Sequence, residues 1–270
     1  MAKSKKQTKP KRELGMPVIG KHERTAAIWI IATLISIFLR PLFRVNVVAG
    51  KEKLPKKSGY LLVPNHVTNL DGLGMAYFIF WRLRRAPHFL AKESLFRIPV
   101  VGSWLTHLGQ IPVFRTTKTR NNEPMQAAVE YLKAGQVVCI YPEGTLTREP
   151  NLWPMRGKSG ALRLALEAGV PVYPVGQWGT EKILGRYGSK LNPGFWKPMN
   201  VLVGDEINLD KYRGREVSGP ELADATALIM REITKLVEQL RGEKAPAELY
   251  DPVLHGQAVT GNFTKQKKES

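Results

Sequence analysis

Tyr60-Leu61-Leu62-Val63-Pro64-Asn65-His66-Val67-Thr68-Asn69-Leu70-Asp71-Gly72 is the stretch on which the reading of the fold turns. Four apolar residues in a row, closed by a proline, read as a strand buried on both faces. Asn65 and Asn69 favour turns, and Thr68 is a cap candidate for a helix beginning near Gly72. His66 and Asp71 stand five positions apart. Five residues of regular helix turn through roughly 500°, which leaves side chains about 140° apart, so this pair meets only around a loop. A histidine at the mouth of a sheet is placed for proton transfer. Its neutral imidazole accepts a proton near physiological pH, and a carboxylate on the other ring nitrogen fixes the tautomer. Taken alone, a His and an Asp in one loop are more often a cap and a surface hydrogen bond.

The alternation continues outward. Val45-Asn46-Val47-Val48, Phe89-Leu90-Ala91, Ile111-Pro112-Val113 and residues 137–141, 172–175 and 199–203 read as strands. Residues 72–83, 98–108, 124–134 and 160–168 read as helices, as do residues 220–240, whose apolar positions follow helical spacing. This predicts an α/β fold over residues 45–241: a mixed, largely parallel sheet flanked by helices, with its site beyond the strand ends.

The charge is unusual. In 270 residues, 41 Lys and Arg against 23 Asp and Glu give a net +18 and a pI near 10.0. The partner is therefore polyanionic: nucleic acid, an anionic leaflet, or a phosphorylated substrate. Nucleic acid is disfavoured, because no basic face with interleaved stacking aromatics and no recognition helix is visible. The single cysteine, Cys139, excludes an internal disulfide and a cysteine-based metal site, and it reads as a small buried strand residue.

Residues 1–24 read as a disordered basic arm and residues 242–270 as a C-terminal tail. Between the arm and the first strand, residues 25–39 are apolar and uncharged. At 1.5 Å per residue they reach only about 22 Å, against a hydrocarbon core of roughly 30 Å. Arg40-Pro41-Leu42-Phe43-Arg44 offers no small-residue cleavage site, so the segment is read as retained. Residues 25–44 are then a membrane-associated helical anchor lying in one leaflet, the alternative being a buried core helix.

Two further stretches carry chemistry. In Tyr141-Pro142-Glu143-Gly144-Thr145-Leu146-Thr147-Arg148 a buried strand empties into a turn, where glycine frees backbone amides beside a hydroxyl and a cation, which suits a phosphate. The strand Ile111-Pro112-Val113 leads to Arg115, whose guanidinium fork matches phosphate oxygens.

Together these stretches resemble the glycerophospholipid acyltransferases, and most closely the 1-acylglycerol-3-phosphate acyltransferases. His66 and Asp71 match the family's His-x4-Asp motif, 111–115 its second block, 141–145 its Phe-Pro-Glu-Gly-Thr block and 170–175 its Val-Pro-Ile-x-Pro-Val block, in the family's order. The resemblance implies acyl transfer from acyl-CoA or acyl carrier protein to a glycerol hydroxyl of a lysophospholipid, with no cofactor and no metal. His66 would be the general base and Asp71 its orienting partner. Asn65, Lys92, Arg115, Glu143, Gly144 and Thr145 would line the acceptor site. The resemblance also implies attachment to the cytoplasmic face of the cell membrane through the N-terminal helix, beside anionic lipids.

The sequence departs from the family at two places. Thr68 replaces a serine two residues after the histidine. Leu146 stands where the family has an arginine, and Arg148 is expected to reach the same site, since alternate residues of an extended loop share a side. The departure also admits a different lysolipid or a glycolipid as acceptor. Gly157-Lys158-Ser159 ends like a phosphate-binding P-loop, but Leu152 occupies the position of its first glycine.

Overall fold

The computed structural model describes residues 25–41, 43–113, 122–188, 190–192 and 196–258. The expected basic arm, Arg115 and the end of the C-terminal tail lie outside the described residues. Helix α1 (Ala26–Leu39) precedes β1 (Phe43–Ala49) and β2 (Tyr60–Pro64), after which come α2 (Asp71–Tyr77) and β3 (Pro87–Lys92). The short helices α3 (Glu93–Phe96) and α4 (Val101–His107) lead to β4 (Ile111–Val113), α5 (Asn122–Lys133) and β5 (Val137–Cys139). The chain continues through α6 (Gly160–Ala168), β6 (Val172–Trp178) and β7 (Lys197–Val203) to α7 (Gly219–Arg241).

Seven strands form one sheet in the order β1-β7-β6-β2-β5-β3-β4. Every pairing is parallel except β6 with β7. β2 lies between β5 and β6, in register through Leu62 with Cys139 and Pro64 with Val175. Its apolar run serves two cores. Leu61 and Val63 pack with α5, α6 and α7 on one face, while Tyr60 and Leu62 pack with Met75, Phe78 and Ile79 on the other. The parallel arrangement sends the chain after β2, β5 and β6 out at the same edge of the sheet, and this brings the site together.

Three boundaries differ from expectation for identifiable reasons. The helix foreseen over 72–83 is α-helical only to Tyr77 and closes in a wider π turn at Phe78–Arg82. That turn buries the consecutive residues Phe78, Ile79 and Phe80, each at most 3% exposed, which a single stripe at 3.6-residue spacing does not do. The helix foreseen over 98–108 begins only at Val101, because Pro99 cannot continue a helix and Val100 takes φ +68°, and the separate short helix α3 precedes it. The expected tail is bound as far as it is described. Met155 and Tyr250 form a parallel bridge, Arg156 N–H donates to Tyr250 O at 2.9 Å, and the Arg156 guanidinium meets Asp251.

Helix α7 shows how its ends are set. Ser218 and Glu221 cap each other reciprocally, Pro220 occupies the first turn, and Gly242 ends the helix in the left-handed conformation. Leu61→Ala, in the middle of β2 and fully buried, should destabilise the protein by about 3 kcal/mol. Urea unfolding of the two proteins checks this as a fall in midpoint at unchanged slope.

Candidate active site

The loop after β2 is built around the carboxylate of Asp71. Asp71 is fully buried in the first turn of α2. Its Oδ2 accepts from Val67 N–H at 2.6 Å, from Thr68 N–H at 2.8 Å and from His66 Nδ1 at 3.0 Å. Its Oδ1 accepts from the hydroxyls of Thr180 at 2.5 Å and Thr68 at 3.2 Å. An ionised carboxylate only accepts, so the proton sits on Nδ1 and Nε2 keeps its lone pair. The imidazole lies 4.0 Å from the Tyr141 ring at an interplanar angle of 21°. The backbone of His66 is held as well: its N–H donates to Glu143 Oε1 at 2.8 Å, and its carbonyl accepts from Thr147 N–H at 2.7 Å.

His66 opens onto a cavity of about 1030 Å³, at the upper end of the range for small-molecule sites. Ile28, Ala32 and Ile35 of α1, Leu73 and Ala76 of α2, and Leu105 and Leu108 give it apolar walls. Its polar lining includes Asn69, Lys92, Gly144, Thr145 and Lys158. Of the expected acceptor-site residues, Lys92, Gly144 and Thr145 thus line the same cavity as His66. Leu146 also faces the cavity.

Three expected acceptor-site residues do other work. Asn65 is 1% exposed. Its amide donates to Gln177 O at 3.0 Å and accepts from Gln177 N–H at 2.8 Å, while the Gln177 side chain donates to Asn65 O at 2.5 Å. It thus clasps the loop to the end of β6 and does not line the cavity. Glu143 is fully buried and ties His66 to Met155, whose N–H donates to Oε2 at 3.3 Å. Arg148 is 1% exposed and forms no part of the cavity wall. The chain bends at residues 144–146, so the alternation expected of an extended loop does not apply. Its charge bears instead on the phenols of Tyr187 and Tyr250.

The sequence pattern gave no role to Tyr141 and did not point to Gln177 or Thr180. Tyr141 is the first residue of a recognised block and was within reach as an aromatic at a strand end. Gln177 and Thr180 carry no local signal, since only the register of β2 against β6 brings them to the loop.

Residues 45–178, about half of the chain, match the family model described as Acyltransferase. The chain belongs to the acyltransferase family. It is 30% identical over 169 residues to the chloroplastic 1-acyl-sn-glycerol-3-phosphate acyltransferase of Brassica napus, covering 60% of this chain and 44% of that one. To the 1-acyl-sn-glycerol-3-phosphate acyltransferase of Borreliella burgdorferi it is 28% identical over 196 residues, 72% of each chain. The chain thus spans less than half the length of the plant relative and most of the bacterial one. The crystal structure of the 1-acyl-sn-glycerophosphate acyltransferase PlsC from Thermotoga maritima superimposes with a TM-score of 0.61 at 23% identity, over 81% of this chain and 83% of that one. The acyltransferase fold is shared between them.

Burial pushes the Glu143 carboxyl up to about 8, against the opposing hydrogen bonds from His66 and Met155. The folded protein then holds a proton on Glu143 that the unfolded chain releases near pH 4.5. The stability due to this proton is complete below pH 4.5 and is lost as pH rises towards 8. Glu143→Gln should abolish that part of the slope of stability against pH, which urea midpoints at pH 5, 6, 7 and 8 measure in both proteins.

Proposed function

We propose that this protein transfers a fatty acyl group from an acyl thioester, acyl-CoA or acyl carrier protein, to the free hydroxyl of 1-acylglycerol-3-phosphate, giving phosphatidic acid. The observation that carries the reading is the His66–Asp71 contact at 3.0 Å, with Nε2 left as a base beside a cavity of apolar walls. Asp71 takes the proton-bearing nitrogen, and His66 Nε2 accepts the proton of the acceptor hydroxyl. The oxygen attacks the thioester carbonyl carbon, and the tetrahedral intermediate collapses with loss of the thiolate. The imidazolium returns its proton to the sulfur, which closes the balance without a covalent acyl-enzyme. Asp71 stabilises the imidazolium while it exists. The carbon chains of donor and acceptor are the ligands that call for walls such as Ile28, Ile35, Leu105 and Leu108.

The acceptor head group has a second reading. Leu146 stands where the family's arginine was expected, which favours a lysolipid without a phosphate monoester. The lining of the cavity bears on that choice, as developed below.

Membrane attachment belongs to the same proposal, at the cytoplasmic face and beside anionic lipids. Helix α1 holds Ile28 against the body, 2% exposed, and its Trp29 ring packs edge-on against Phe80 and Trp81. Its other side presents Ile30, Leu34 and Ile37 at 54–64% exposure. The α3–α4 segment adds Ile98, Val100 and Val101. Among the described residues no helix is long and apolar enough to cross a membrane, so the reading is of a helix lying in one leaflet. Burying the outward residues of α1 in hydrocarbon is worth about 1–2 kcal/mol each at this exposure.

His66→Ala should lower the rate of thioester-dependent acyl transfer by at least about 10²-fold, measured by mass analysis of products from oleoyl-CoA and 1-oleoylglycerol-3-phosphate. A variant as active as the parent refutes the mechanism. Replacing Ile30, Leu34 and Ile37 together by Asp should abolish co-sedimentation with vesicles containing phosphatidylglycerol while the circular dichroism spectrum is kept. Undiminished sedimentation overturns the placement of α1.

A further inference from the structure

Of the positions from which the sequence led us to expect a phosphate ligand, 146 carries leucine in place of the expected arginine, Arg148 is buried and forms no part of the cavity wall, and Arg115 lies outside the described residues. Among the described residues lining the cavity, the basic side chains besides His66 are Lys92 and Lys158. Lys158 is the one that lies over the turn. A Cβ placed on Gly144 would stand 3.1 Å from Lys158 Cδ and 3.2 Å from Nζ. The backbone reinforces this placement, since Lys158 N–H donates to Pro142 O at 2.8 Å and Gly144 N–H to Tyr141 O at 3.0 Å. The Lys158 ammonium is thus held against the turn that carries Gly144 and Thr145, on the cavity that His66 also lines.

We infer that Lys158 is a phosphate-binding residue of this site, supplying to the acceptor's phosphate monoester the cationic contact that Leu146 cannot make. The inference rests on the acyltransferase reading above and names its head group. The chemistry suits the position. An ammonium is a compact charge with three donors on a flexible stem, and it needs no fork geometry to meet a phosphate oxygen. Gly144 has a role in the same arrangement. It has φ +68°, and its bare Cα leaves room for the lysine stem where any side chain would press on it. Gly157-Lys158-Ser159, which fails as a P-loop, thereby acquires a phosphate of a different kind.

The donor also carries phosphates when it is acyl-CoA, so the test separates the two sources. Binding of 1-octanoylglycerol-3-phosphate to the full chain is measured by calorimetry, with 1-octanoylglycerol as the phosphate-free control. Steady-state rates are measured with oleoyl-CoA and with oleoyl N-acetylcysteamine thioester, which has no phosphate. Lys158→Met should weaken binding of the phosphorylated lysolipid, and raise its KM, about tenfold or more. Binding of 1-octanoylglycerol and the KM for oleoyl-CoA should be unchanged, and Lys158→Arg should restore most of the loss. Unchanged affinity for the phosphorylated lysolipid overturns the inference. So does a KM effect seen only with oleoyl-CoA, which assigns the lysine to the donor. A loss that Lys158→Arg does not restore, accompanied by a lower Tm, assigns it to the fold and equally overturns it. Lys158-dependent binding without acyl transfer by the parent protein leaves the phosphate assignment standing and refutes the enzymatic reading alone.

Discussion

A buried carboxylate must be surrounded by donors, and in this protein that demand shapes the site. Removing the Asp71 charge from water costs several kcal/mol unless hydrogen bonds replace hydration. The replacements come from two backbone amides, two hydroxyls and one imidazole nitrogen. The loop after β2 can satisfy that set only by curling around the carboxylate, and the curl points His66 Nδ1 inward. The tautomer, the ring orientation and the outward lone pair all follow from one desolvation requirement. Thr180 completes the set from the turn just after β6, so the His66–Asp71 pair is held by two segments that are remote in sequence.

The rest of the fold supplies what this arrangement needs. Parallel β2, β5 and β6 release their chains at a common edge, which lets Asn65 lock onto Gln177 and the His66 backbone lock onto Glu143 and Thr147. A rigid polar corner results, backed by the Tyr141 ring. The apolar walls come from elsewhere, chiefly α1 and the α2–α4 region, whose residues are partly exposed. The polar groups are thus held by the sheet, and the apolar walls by helices that are less deeply embedded.

Much of this was legible in the sequence. A strand buried on both faces leaves an unbroken apolar run, so β2, β5 and β6 declared themselves, and the spacing of His66 and Asp71 required a loop. The roles around that pair were harder to read. Asn65 and Glu143 lie in recognised blocks, yet their side chains are spent on Gln177, His66 and Met155, because buried polar groups are claimed first by buried backbone partners. Arg148 was misplaced because an extended loop was assumed where the chain bends. Thr180 carried no signal, and Lys158 was noticed only as the end of a failed P-loop, for another reason: each reaches the site through tertiary register, which no short window of sequence contains.

The strand bridge between Met155 and Tyr250 ties the last described segment of the chain to the corner that holds His66. Met155 is also a donor to Glu143, and Glu143 holds the backbone of the base. A chain cut before Tyr250 and Asp251 lacks the partners that hold the 155–156 segment here. The order that holds the backbone of His66 therefore depends on contacts between segments about a hundred residues apart in the chain.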